Sequence, residues 1–293
     1  MPELAIEIRG AEKRYPGFAL GPLDLALEKG YVLGLIGPNG AGKTTTLRLL
    51  MGLAAPDAGE IRVLGGDPRR AGKGLRSRIG FVYDESRWYG RLSAGENAAW
   101  ASRLYDNWDD IGFRRRLGTF GVAADKALDE LSKGQRMKFA LAVALSHGAE
   151  LVVMDEPTGG LDPVSRSELL DALREAVAGS ATSILFSTHI TTDLERMADY
   201  VAFMKGGRLV FCEELDEVLE RYALVKGPAG ALDAGLAPFL VGRRVYEGGF
   251  EGLTDRAGEL MARGQGRLLV ERASLEDIMI YSVREDYNVR AGV

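Results

Sequence analysis

The run Gly37-Pro38-Asn39-Gly40-Ala41-Gly42-Lys43-Thr44-Thr45 fits the pattern G-x-x-x-x-G-K-[ST] at every fixed position. Glycines in such a loop let successive backbone N–H groups turn inward and cradle an anion. A helix starting at the loop's end adds partial positive charge at the same point. Lys43 would then reach the β- and γ-phosphates of a nucleotide, and the Thr44 hydroxyl would ligate Mg²⁺. The plain alternative is a glycine-rich turn without a ligand. Glycines followed by Lys-Thr, between an apolar run and a helical stretch, argue against it.

A second constellation, an acidic one, lies downstream. Leu151-Val152-Val153-Met154 is apolar and ends in Asp155-Glu156-Pro157. A buried strand that delivers two carboxylates at its carboxyl end is where an open α/β sheet places its ligand. Asp155 would hold Mg²⁺ through water, and Glu156 would position or deprotonate an attacking water. Ser132 precedes the helical run 134–146, and spacing alone leaves two roles open, an N-cap of that helix or a functional hydroxyl.

These residues need a scaffold, and the flanking patterns supply one. Tyr31–Ile36 reads as a buried strand and Thr44–Met51 as a helix. Residues 4–8, 23–27, 60–64, 79–83, 151–154 and 183–187 read as further strands, and 200–204 with 208–212 as a hairpin. Ser93 and Glu96 stand at capping-box spacing, opening a helix toward Tyr105; residues 112–120, 123–130, 134–146, 163–178 and 191–198 also read as helices. Asp162 is a plausible N-cap for the fourth of these. After Tyr222 the pattern weakens; only a strand near 267–271 and a capped helix from Ser274 toward Val283 stand out.

Composition narrows the function classes. The chain of 293 residues has a formal net charge of −5 and a pI near 5.4, which gives a nucleic-acid partner no electrostatic support. Cys212 is its one cysteine, so no intrachain disulfide forms. The N-terminus lacks the basic-then-apolar pattern of a secretory signal, and the longest apolar stretch, 139–145, is too short to span a bilayer.

Leu131-Ser132-Lys133-Gly134-Gln135 resembles the LSGGQ signature of the ATP-binding cassette (ABC) family, the nucleotide-binding subunits of ABC transporters. Gly159-Gly160-Leu161-Asp162-Pro163 is similar to the family's D-loop, Ser187-Thr188-His189 to its switch-histidine motif, and Tyr15 to the aromatic that stacks on adenine. The resemblance covers roughly residues 4–222. It implies an α/β P-loop NTPase fold of ABC ATPase type, with an antiparallel β layer, a helical subdomain at about 85–148, and a small C-terminal α+β appendage at 223–293. It implies ATP and Mg²⁺, with Asp155 as the Walker B aspartate, Glu156 and His189 at the γ-phosphate beside Lys43, and Ser132, Gly134 and Gln135 facing a nucleotide held by a second subunit. Asp162 would link the two sites. The matching residue to the family's metal-touching glutamine is Asp84, a third expected Mg²⁺ ligand, with Glu85 the rival register. Lys133 stands where the signature has its first glycine.

The implied partners are polytopic membrane subunits and a second ATP-binding subunit, homo- or heteromeric, with the chain peripheral on the cytoplasmic face of the cell membrane. Asp84 at the glutamine position and the short glycine-rich tail with Ser274-Leu275-Glu276-Asp277 resemble a bacterial exporter-type subset of the family, which implies export. Trp88, Tyr89 and Trp100 would either receive a helix of the membrane subunit or build the helical subdomain's own core. A soluble ABC ATPase without a transport role and a regulatory, weakly hydrolysing cassette are the alternatives.

Overall fold

The structure is a computed structural model and describes residues 3–83, 88–178, 182–232, 235–264, 267–283 and 287–288. The chain divides into two compact units, Met1–Cys212 and Glu213–Val293. The sequence pattern alone places a boundary at 222, where the apolar periodicity weakens.

The first unit opens with β1 (Leu4–Tyr15) and β2 (Phe18–Glu28), an antiparallel pair. Alternating burial along β2 follows from Leu23, Leu25 and Leu27 facing the core while Asp24 and Ala26 between them face outward. β3 (Val32–Ile36) leads into α1 (Lys43–Leu50), and β4 (Ala58–Val63) pairs with the other edge of β1. The short α2 (Lys73–Arg76) and β5 (Ile79–Val82) follow. Next come α3 (Ala94–Ser102), α4 (Asp110–Thr119) and α5 (Lys133–Leu145), within the stretch expected to form a helical subdomain. β6 (Leu151–Asp155), α6 (Pro163–Val177), β7 (Ser183–Thr188), α7 (Thr191–Met197), β8 (Tyr200–Lys205) and β9 (Arg208–Glu214) complete the core.

The large sheet has the strand order β5-β6-β7-β3-β8-β9, and the pairs among its first five strands are parallel. Every residue of β3 and β7 is buried, as expected of parallel strands covered on both faces. The order matters for the site. β6, β7 and β3 are neighbours, so the three loops that follow them leave from one edge of the sheet. Asp155 lies opposite Ser187, and Thr188 opposite Ile36.

The expected helix at 123–130 does not form. Only Leu128–Glu130 makes a 3-10 turn. The residues before it satisfy the exposed N-terminus of α3 instead: the Ala94 and Gly95 amides donate to the Lys126 and Ala124 carbonyls, and Ser93 bridges Ala127. Backbone groups spent on a neighbouring helix start are not free for an i to i+4 ladder. The capping box of Ser93 and Glu96 is formed.

The second unit carries α8 (Leu215–Arg221), β10 (Ala223–Gly227), β11 (Gly242–Tyr246), β12 (Gly249–Thr254), α9 (Ala257–Gly264), β13 (Leu269–Arg272), α10 (Leu275–Val283) and β14 (Tyr287–Asn288). Its sheet runs β13-β10-β12-β11-β14 around Val225, Phe239, Phe250 and Leu260. β10, β11 and β12 escaped the sequence reading because Lys226, Arg243, Arg244 and Glu251 break the apolar pattern. Glu251 is opposed by Lys226 and Arg244 across the strands.

Candidate functional site: a phosphate cradle and an acid pair at one sheet edge

The loop 37–42 leaves β3 and curls back over its own start. Gly37 cannot be replaced without moving backbone, because a Cβ there would lie 2.3 Å from the Met204 carbonyl oxygen. Gly42 caps α1 at φ 109, a conformation that side chains rarely adopt, and its vacant side meets Leu20 and Phe18. The first turn of α1 holds no acidic residue, so its N-terminal N–H groups and dipole face the loop uncompensated. A cleft of about 440 Å³ lies here, lined by residues 39–45, Phe18 and Glu156.

Lys43 is almost fully buried. Its Nζ donates to the Gly37 carbonyl at 2.7 Å and stands 3.7 Å from Glu156 Oε1. Thr44 Oγ1 donates to Asp155 Oδ2 at 3.1 Å, joining residues 111 apart in sequence. Asp155 Oδ1 takes a second hydrogen bond from Ser187 Oγ at 2.6 Å. Ser187 is fully buried and also receives the Glu156 amide, at its carbonyl (3.0 Å) and its hydroxyl (3.2 Å).

Glu156 follows with φ 49, one of two non-glycine residues at positive φ among the described residues. Such a backbone costs of order 1–3 kcal/mol and persists where its surroundings hold it. Here it turns the side chain back toward the loop. Glu156 Oε2 lies 2.7 Å from His189 Nδ1 and accepts the His189 amide at 3.3 Å. Lys43, Thr44, Asp155, Glu156 and His189 therefore converge, although they come from three separate strands' ends.

The donor set fits a hard divalent cation. Thr44 and Asp155 offer oxygen ligands from two rigid elements, and Mg²⁺ commonly takes one or two protein oxygens with the rest from phosphate and water. Asp84 and its rival Glu85 fall outside the described residues. Tyr15 is half-exposed near the β1–β2 turn with Lys13 Nζ 5.6 Å from its ring centroid. Phe18 opposes Tyr15 across that turn and is the aromatic that lines the cleft. The sequence reading missed it; the turn Pro16-Gly17 ahead of an aromatic was its signal.

Ser132, Gly134 and Gln135 sit elsewhere. Ser132 caps α5 in a complete capping box with Gln135, and both line a different cleft, of about 730 Å³, along α6. Gly134 is required by packing, since a Cβ would lie 2.8 Å from Ser165 Cβ. Asp162 caps α6, accepting from the Val164 and Ser165 amides at 3.0 Å each. Ser165, through its side chain and its amide, holds the Asp162 carboxyl below its ordinary value. Lys133 reaches toward the same region: a Cβ on Gly160 would be 3.3 Å from its Nζ.

The family model described as ABC transporter matches residues 20–159. The chain is 36% identical over 252 residues to Daunorubicin resistance ATP-binding protein DrrA3 of Streptomyces coeruleorubidus, covering 81% of this chain and 78% of that protein. The chain belongs to the ABC transporter family. It is also 36% identical over 227 residues to Nod factor export ATP-binding protein I of Paraburkholderia xenovorans, covering 72% and 71% of the two chains. A solved structure titled "Structure of ATP binding subunit of ABC transporter" superposes with TM-score 0.66 at 27% identity, over 74% of this chain and 92% of that one.

As an ABC transporter ATP-binding subunit, the chain binds ATP and is an ATPase, and its fold is the α/β P-loop fold of ABC ATPases. Among the described residues no helix is long and apolar enough to cross a membrane. His147, which matched no motif of the ABC family, is structural: it stacks on Tyr105 at 3.9 Å and bonds the Ser77 carbonyl at 2.9 Å. Burial lowers its pKa from the ordinary 6.5.

Proposed function

We propose that this subunit drives export through separate polytopic membrane subunits, working as a pair of ATP-binding chains, homo- or heteromeric, on the cytoplasmic face of the membrane. The names of the two relatives, one for drug resistance and one for export, support the direction. In this reading Gly37–Thr45 holds the triphosphate of ATP, with Thr44 and Asp155 on Mg²⁺. Held by these two residues, Mg²⁺ would neutralise charge on the triphosphate. Glu156 accepts the proton of the attacking water, and His189 keeps Glu156 oriented. Tyr15 and Phe18 flank the base.

The observation that carries the reading is a separation. Lys43, Thr44, Asp155, Glu156 and His189 gather at one cleft, while Ser132 and Gln135 line another. A signature serine that does not face its own phosphate loop suits a partner's. The aromatics near 88 divide between their two alternatives. Trp88 packs edge-on to Phe139, at 5.2 Å, in the subdomain core. Tyr89 and Trp100 stand 6.2 Å apart, 62% and 56% exposed, and offer a ledge for a helix of the membrane subunit.

Glu156→Gln tests this directly. The amide keeps the shape and loses the base. ATP binding by calorimetry should persist, turnover should stop, and an ATP-dependent dimer should accumulate in size-exclusion chromatography. Normal turnover would remove Glu156 from the base role. Lost turnover without a dimer would count against the paired arrangement. Co-purification of a multi-spanning protein with the tagged chain tests the membrane partner.

A further inference from the structure

Beyond the sheet edge, the chain after Glu156 runs as turns to Asp162, and the chain after His189 enters α7 at Thr191. A buried polar cluster joins these two segments. Asp193 is 0% exposed. Its Oδ2 accepts the Thr158 hydroxyl at 2.5 Å, and its Oδ1 accepts Arg166 Nε at 2.5 Å. Thr158 is itself fully buried, and Arg166 also donates to Thr192 Oγ1 at 2.5 Å. Thr158 stands two residues after Glu156, Asp193 four after His189, and Arg166 in the first turns of α6.

We propose that the Thr158–Asp193–Arg166 cluster is a positioning device for the reaction: it sets where Glu156 and His189 stand relative to each other and ties the loop 157–162 to α7. The inference rests on the reading of Glu156 and His189 as the acting pair. A buried carboxylate costs stability unless fully paired, and a well-packed apolar substitute is often as stable, so packing alone does not call for these three residues. What the cluster supplies is direction. Each Asp193 oxygen takes a donor from a different segment, so any slide of the 157–162 loop against α7 breaks a short, charge-assisted or buried hydrogen bond. Apolar contacts would permit such a slide. The Glu156–His189 contact of 2.7 Å sits between the two tethered segments and inherits their spacing. Misplacement of a reacting group by about 1 Å can cost about 100-fold in rate. Arg166 extends the tie to the start of α6, where Asp162 caps and Gly134 packs through Ser165.

The experiment uses the full chain and an isosteric pair. Thr158→Val keeps volume and removes the hydroxyl; Thr158→Ser keeps the hydroxyl. We expect Thr158→Val to lower kcat about 10- to 100-fold while KM for ATP stays within about twofold, and Thr158→Ser to recover most of kcat. A merely structural hydroxyl would lower the melting temperature without that split. If Thr158→Val does not fold, Arg166→Gln, at a side chain 28% exposed, carries the same expectation. A kcat within about twofold of the parent in a folded variant, a rise in KM alone, or failure of Thr158→Ser to recover kcat overturns the proposal. Glu156→Gln run alongside separates the two readings. If it retains turnover, the assignment of the acting pair fails. If it is inactive while folded Thr158→Val is normal, only the positioning role fails.

Discussion

Replacing Lys43 by Met keeps the stem that packs under the loop and deletes the charge. In the structure Nζ is engaged by the Gly37 carbonyl at 2.7 Å and lies 3.7 Å from Glu156 Oε1. A phosphate that draws Nζ away exchanges these contacts for its own, so the net gain is that of one charge-assisted hydrogen bond. That is about 1.5–3 kcal/mol. At 1.4 kcal/mol per tenfold, Lys43→Met should weaken binding of a non-hydrolysable ATP analogue about 10- to 150-fold by calorimetry. The same loss has a second readout. Nucleotide at 100 times its parent Kd stabilises the fold by about 2.7 kcal/mol, and a tenfold weaker Kd cuts that to about 1.4 kcal/mol. The melting temperature without nucleotide should move little, because Glu156 keeps His189 as a partner. An affinity within about twofold of the parent would refute the phosphate role of the loop's lysine.

Three further outcomes follow from the geometry. Gly134→Ala drives a methyl to 2.8 Å from Ser165 Cβ and should cost about 1–3 kcal/mol in denaturant titration, and Ser165→Gly should cost less in that background than in the parent. Ser187→Ala removes the buried hydroxyl that donates to Asp155 and receives the Glu156 amide; stability should fall by about 1–3 kcal/mol, and the Mg²⁺ concentration for half-maximal ATPase activity should rise. Glu150 is held at a pKa of about 2, below its ordinary 4.5, first by the Arg78 guanidinium and then by Lys29. Its contribution to stability is therefore present above 4.5 and lost as pH falls toward 2. Glu150→Gln should be less stable than the parent at neutral pH, and that gap should close across this acid window in pH-dependent unfolding.

The phosphate loop and the acid pair were legible because their chemistry is local. A loop that cradles phosphate needs glycines, a lysine and a hydroxyl within nine consecutive residues, and a strand that presents carboxylates needs only an apolar run with acids at its end. The capping box at Ser93 and the N-cap reading of Ser132 are local for the same reason, and both caps formed. Where local reading failed, a distant partner had intervened. Residues 123–127 pair with the start of α3 rather than coil, and β10 to β12 hide polar side chains that are opposed across the sheet.

The residue types, their order along the chain and the family they belong to were set by sequence alone. Tertiary structure decided which strand ends meet. The sheet order places β7 between β6 and β3, which brings His189 to Glu156 and Thr44 to Asp155, pairs 33 and 111 residues apart. It also selected Phe18 for the cleft and assembled Thr158, Asp193 and Arg166 into one buried cluster. The physical reason is that periodicity and capping record what each segment buries, not which segment it is buried against. That choice is made by the packing of the whole core, where strands with near-identical apolar patterns differ only in their neighbours.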